Sequence, residues 1–174
     1  MDGEAKARRE EDARATALDR VDERLERLAA RRKALRRAME SFGDGFDASA
    51  WARAYESPDP DDINSVFAVT GGYLALVNNT AEALRTGAKL TDLKPAHSTT
   101  GIAGIVDAIR EDGGLTSGQA ETFTELYRTR NRLQHSSPDI EADEVHRQVG
   151  LLLRHLPKLV ESYVAWLEKH DVRL

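Results

Sequence analysis

The 174-residue chain has no cysteine, which excludes a disulfide framework and any thiolate metal centre and suits a reducing interior. Its five histidines lack the spacing of a metal cluster. His146 and His155 fall on opposite sides of one helix, and His97 and His170 sit at a loop and near a terminus. No metal and no cofactor are therefore expected. No stretch approaches ~18 uncharged apolar residues, the length a membrane-spanning helix needs. The segment from Met1 to Asp12 is charged and offers no apolar run for secretion. The expectation is a cytoplasmic protein with no membrane partner. Aromatic residues make up only 6% of the chain, and Trp51, Tyr73, Tyr163 and Trp166 are too dispersed for a base-stacking platform. They fit core or interface packing better. Gly71-Gly72 and Gly113-Gly114 lack the lysine and preceding strand that a phosphate loop requires.

What is present suits a globular helical protein. Charged residues account for 32% and hydrophobic residues for 40%, with a mean hydropathy of -0.54. The net charge of -5 disfavours coating of nucleic acid by bulk electrostatics. Met1 to Glu40 holds twelve Lys and Arg against ten Asp and Glu, an excess of two that leaves -7 for the remainder. Any RNA contact must then use a focused basic site.

Glu4 to Ser41 contains no Gly or Pro and is dominated by Ala, Arg, Glu and Leu, which predicts one long helix. Leu18, Val21, Leu25, Leu28, Arg32, Leu35 and Met39 recur at alternating steps of three and four, the seam of a helix packed lengthwise on its own domain or on a partner copy. The glycines of Phe42-Gly43-Asp44-Gly45-Phe46 end it. A short helix over Ala48 to Glu56 follows, and then one from Asp61 or Asp62 to about Thr86 with an apolar face that includes Ile63, Val66, Phe67, Thr70 and Leu74. Gly71-Gly72 within it implies close packing against a neighbour. Thr86 to His97 reads as a loop, and Ser98 or Thr99 can cap a helix through Ile109. Ser117 opens a helix reaching Gln134, Ser136-Ser137-Pro138-Asp139 breaks it, and the last helix runs from about Ala142 to Lys169 with a kink near Pro157. The expected fold is all-α: an up-and-down bundle of four to five helices over 47–174, preceded by a long N-terminal helical arm over 1–46.

One segment carries chemistry. On the helix from Ser117, Phe123, Leu126, Arg130 and Leu133 share a face, so Arg130 occupies an apolar stripe. A guanidinium there needs either a carboxylate, for which Glu125 is a candidate, or an arriving anion. Asn131 and His135, four apart, share another face, so the amide can orient the imidazole; Arg128 and Arg132 add positive charge. Cleavage of RNA by internal transesterification needs a base for the 2'-hydroxyl, an acid for the leaving oxygen and stabilisation of the phosphorane. His and Arg supply all three. Within one continuous helix, however, residues five apart diverge by about 140°. Either the helix ends between Arg130 and His135, or a two-fold axis brings two histidines and two arginines around one phosphate.

The stretch Leu126-Tyr127-Arg128-Thr129-Arg130-Asn131-Arg132-Leu133-Gln134-His135 resembles the signature of HEPN domains: Arg, a polar residue that is often Asn, then His a few positions on. The resemblance spans about Asp61 to Lys169 in helix order, with the specific part confined to this segment. It implies a four-to-five-helix bundle, dimerisation across the motif helix and RNA cleavage without metal that leaves a cyclic phosphate. It makes His135 the acid/base residue, Arg130 the phosphate clamp and Asn131 the orienting group, with Arg128 and Arg132 as further phosphate contacts. It also implies a toxin or anti-phage defence effector, acting on an RNA such as tRNA and restrained by an antitoxin or regulatory protein. Where HEPN toxins silenced by nucleotidylation carry Tyr two residues after the His, this chain has Ser137, a departure from that mechanism. The alternative is a noncatalytic helical module that binds protein or nucleic acid and dimerises through the arm and bundle.

Overall fold

The computed structural model describes residues 2–93, 101–135 and 140–172. Six α-helices and no strands occur among them: α1 (Asp2–Met39), α2 (Ala48–Glu56), α3 (Pro60–Leu90), α4 (Ile102–Glu111), α5 (Ser117–Gln134) and α6 (Ala142–Lys169). The fold is thus an all-α bundle with a long N-terminal helix. None of these helices is long and apolar enough to cross a membrane.

The seam of α1 is used within the molecule. Val21, Leu28 and Leu35, one heptad apart, are buried, and Leu18, Leu25 and Met39 pack beside them. Each fully buried residue of this kind contributes about 1.5–3 kcal/mol. The stretch of α1 from Ala17 onward lies along α3 and joins the same hydrophobic cluster as the rest of the bundle. Arg32 interrupts the seam half-exposed, with its Nε enclosed and without a hydrogen-bond partner.

After the 3-10 turn Glu40–Phe42, Gly43 and Gly45 adopt positive φ and so does Phe46, at 62°. A left-handed aromatic residue costs roughly 1–2 kcal/mol. Its ring is held edge-on by Phe42 and Trp51 and stacked on His146, whose Nε2 lies 2.6 Å from the Phe46 carbonyl oxygen.

Two helix boundaries differ from expectation. α3 does not give way to a loop at Thr86; it continues to Leu90, because Gly87 lies directly beneath the Tyr163 ring of α6. That close approach lets the Tyr163 hydroxyl donate to the Ala83 carbonyl at 2.6 Å, so tertiary packing outweighs the local helix-breaking signal. The cap of α5 is Thr116 rather than Ser117: its hydroxyl accepts from the Gln119 N–H, and the Gln119 side chain accepts from the Thr116 N–H, a reciprocal capping box. α4 begins after Gly101, and the expected caps Ser98 and Thr99 lie outside the described residues, as does the breaker at 136–139. α6 runs through Pro157 as a single helix. Of the glycine pair in α3, Gly72 faces Leu35 of α1 at contact distance, whereas a side chain at Gly71 would meet nothing within 4 Å.

Candidate active site on the fifth helix

α5 is held on the bundle by Ala120, Phe123, Leu126 and Thr129, all buried. Its height against α3 is set by a buried hydrogen bond, the Tyr73 hydroxyl donating to the Leu126 carbonyl at 2.7 Å. Burial pushes the Tyr73 phenol well above its ordinary value, and its hydrogen bond with Thr129 offsets part of that rise. On the α6 side, buried Gln148 donates to Glu125, and Arg132 pairs with Glu144.

Arg130 stands one turn beyond Leu126 on the apolar stripe, half-buried rather than fully enclosed, and Thr129 takes the buried place at that level. The carboxylate partner considered for it is engaged elsewhere, since Glu125 accepts from Gln148. No ion pair of Arg130 is found among the described residues. Its Nη1 donates to Asn131 Oδ1 at 2.7 Å, its guanidinium carbon lies 5.5 Å from the centre of the Tyr127 ring, and its Nε is enclosed with no partner. A guanidinium stacked on an aromatic face keeps its direction while its outward edge stays open to an anion.

The orienting role expected of Asn131 goes to a different neighbour. Its side-chain oxygen accepts from Arg130 Nη1, and no hydrogen bond joins its amide to the imidazole among the described residues. His135 caps the C-terminus of α5 (φ -92°, ψ 19°), with its N–H donating to the Asn131 carbonyl at 3.1 Å. Its imidazole is exposed and has no hydrogen bond to the described residues. Because α5 stays helical through Gln134, Arg130 and His135 diverge as the 3.6-residue period requires. One copy therefore presents a guanidinium on one side and an imidazole on the other.

Arg128 and Arg132 face outward on separate borders. Arg128 lines a cleft of about 310 Å3 with Asp107, Arg110 and Glu121 between α4 and α5. Arg132 is tied to α6 through Glu144. An exposed pair of that sort contributes about 0–1 kcal/mol, so an incoming phosphate can displace the carboxylate at little cost.

Two features were not anticipated. Tyr127, three residues before Arg130, supplies the ring beneath the guanidinium; the i, i+3 spacing is the signal that could have revealed it. Ile63 and Phe67, on the apolar face read along α3, are 38% and 69% exposed. No group of His, Asp or Glu suited to a metal ion is found among the described residues. Comparison with protein-family models, with curated proteins and with solved structures finds no match to this chain.

Proposed function

We propose that the chain is an endoribonuclease of HEPN type that cleaves RNA without a metal and works as a homodimer with a composite Arg/His site. The observation that carries this reading is Arg130: a half-buried guanidinium with no carboxylate partner among the described residues, steered by Asn131 and Tyr127 and still short of hydrogen bonds. A cation placed so is completed by an anion, and the phosphodiester of RNA is the anion whose cleavage an adjacent imidazole can catalyse.

The chemistry follows. An imidazole takes the proton from a ribose 2'-hydroxyl, the 2'-oxygen bonds to phosphorus, and the P–O5' bond breaks as a proton passes to the departing oxygen. The products are a 2',3'-cyclic phosphate and a 5'-hydroxyl. Arg130 neutralises the charge that builds on the phosphorane oxygens, the kind of stabilisation that contributes about 2.7–4 kcal/mol per well-placed donor. His135 supplies the imidazole, Asn131 holds Arg130 in line, and Arg128 and Arg132 bind flanking phosphates. Such an enzyme fits a toxin or defence effector restrained by a protein partner.

The test is incubation of the purified protein with total RNA and with tRNA in EDTA, beside His135→Ala and Arg130→Ala. Cleavage leaving cyclic phosphate ends, lost in both variants, supports the reading. Wild-type protein as inert as the variants, together with harmless expression in cells, overturns it.

A further inference from the structure

α1 carries a second pattern beside the apolar seam that packs it on α3. Arg20, Arg24, Arg27 and Arg31 each directly precede a seam residue, Val21, Leu25, Leu28 and Arg32, so they line one flank of the helix at steps of four, three and four. At about 100° per residue, Asp19, Asp22 and Glu26 fall about 100° or more round the helix from Arg20 and Arg24. The near-balance of charge in the arm therefore conceals a basic flank and an acidic one.

Where the basic flank meets the end of α3 there is an open cleft of about 620 Å3, lined by Arg14, Arg20 and Arg24 of α1, Glu82 and Lys89 of α3, and Asp92 just beyond it. Four cations thus face two carboxylates in a chain whose net charge is -5. Glu82 is already shared, with Arg24 3.6 Å from Oε2 and Arg85 2.7 Å from Oε1. No ion pair of Arg14, Arg20 or Lys89 is found among the described residues. Like charges gathered in a cleft repel one another and focus a field that draws an anion in. A single small anion would leave most of them unmet, because Arg14 and Arg24 are ten residues, ~15 Å, apart along α1 and Arg31 extends the flank ~10 Å further. Cations so spaced suit a chain of phosphates. A lipid surface fits them less well: an interfacial helix needs a free apolar face, and the seam of α1 is already buried in the bundle.

We infer that the cleft between α1 and the end of α3, continued along α1 by Arg27 and Arg31, binds the phosphate backbone of an RNA strand. The choice of RNA among polyanions rests on the nuclease reading above, and the surface lies on the arm, outside the segment that resembles HEPN domains. It is also separate from Arg130. Leu126 is bonded to Tyr73 and Leu133 shares a cleft with Val66, so Arg130 stands beside the first half of α3. Glu82 and Lys89 lie nine and sixteen residues beyond Tyr73 in the other direction, ~14 and ~24 Å along the axis. The cleft therefore holds a stretch of RNA remote from the bond that breaks, and phosphate contacts of this kind add affinity without sequence preference.

The test is binding, measured by fluorescence anisotropy of a labelled oligouridylate long enough to span the flank, in EDTA over a series of salt concentrations. The parent is the full chain with His135→Ala, so that cleavage does not intervene. Adding Arg14→Ala, Arg20→Ala and Lys89→Ala removes three exposed, unpaired cations of the cleft; adding Arg37→Ala, Arg53→Ala and Lys158→Ala instead removes the same charge from exposed positions elsewhere. Each phosphate held on a single strand contributes about -0.7 to the slope of log K against log salt, so the cleft variant should flatten that slope by about 2 and bind about tenfold or more weakly at low salt. The control variant should stay within about twofold of the parent. The circular dichroism of all three should superimpose. A parent that does not bind RNA, equal weakening in the two variants, or binding to phosphatidylserine vesicles in place of RNA overturns the inference. Cleft-dependent binding beside a wild type that cleaves nothing keeps the surface and removes the nuclease reading, whereas cleavage with RNA affinity indifferent to the cleft keeps the nuclease and removes the surface.

Discussion

Gly87→Ala isolates the contact that sets the far end of the bundle. A Cβ at Gly87 would lie 2.2 Å from the Tyr163 hydroxyl oxygen and 2.7 and 2.8 Å from Cε2 and Cζ, well inside van der Waals contact. The ring is 1% exposed and cannot swing into solvent. It must shift within the core, at about 1–3 kcal/mol for overpacking, and lose its bond to Ala83, at about 1–3 kcal/mol for a buried hydroxyl left unpaired. Alanine's better helix propensity returns about 1 kcal/mol. The expected net loss is about 3 kcal/mol, the middle of a range of about 1–5 kcal/mol. In a chain of this length it lowers Tm by roughly 5–15 °C, read by thermal denaturation followed by far-ultraviolet circular dichroism. Tyr163→Phe removes the nearest clashing atom, so Gly87→Ala should cost less in that background, with a coupling of ~1 kcal/mol or more. A Gly87→Ala protein that melts higher than wild type, as propensity alone would give, refutes the packing argument.

Other outcomes follow from single contacts. Asp112 accepts from Trp166 Nε1 at 2.7 Å and meets His170 Nε2 at 2.7 Å, and these hydrogen bonds hold its carboxyl below the usual range. Its contribution to stability is present above the ordinary carboxylate pKa and is lost as pH falls through the depressed value; Asp112→Asn should flatten the acid limb of stability against pH. Burial raises the phenols of Tyr73 and Tyr163 above their ordinary value, so stability fully present below that value is lost as pH climbs beyond it. Ultraviolet titration should show both phenols ionising only as the helices melt, and normal ionisation in the folded protein would contradict it. Tyr73→Phe, which removes a buried hydrogen bond beside the candidate site, should cost about 0.5–1.5 kcal/mol in urea denaturation and leave the helix content unchanged.

The long runs of strong helix formers made α1, α2 and α6 legible, and the 3.6-residue period picked out Val21, Leu28 and Leu35 as a buried row. Gly87 misled because its neighbour, Tyr163, is remote in sequence and only the folded chain places it there. Phe67 misled for a related reason. α3 is packed by every other helix, so its apolar residues point several ways, and periodicity tells which share a face but not what covers that face. At the candidate site, the position of Arg130 on the stripe and its divergence from His135 could be read from spacing alone. The partners of Glu125 and Asn131 could not, because Gln148 comes from another helix and spacing alone left the amide a choice between Arg130 beside it and His135 one turn on.

The central claim is that Arg130 of one copy works with His135 of another, and complementation measures it most directly. Arg130→Ala and His135→Ala proteins are each expected to be inert; co-refolding the two makes about half the dimers mixed. Each mixed dimer retains one complete pair of the two, the Arg130 of one chain facing the His135 of the other. If the pairs act independently, the mixture should recover about a quarter of the wild-type cleavage rate. A mixture no more active than either parent, beside an active wild type, would contradict the account.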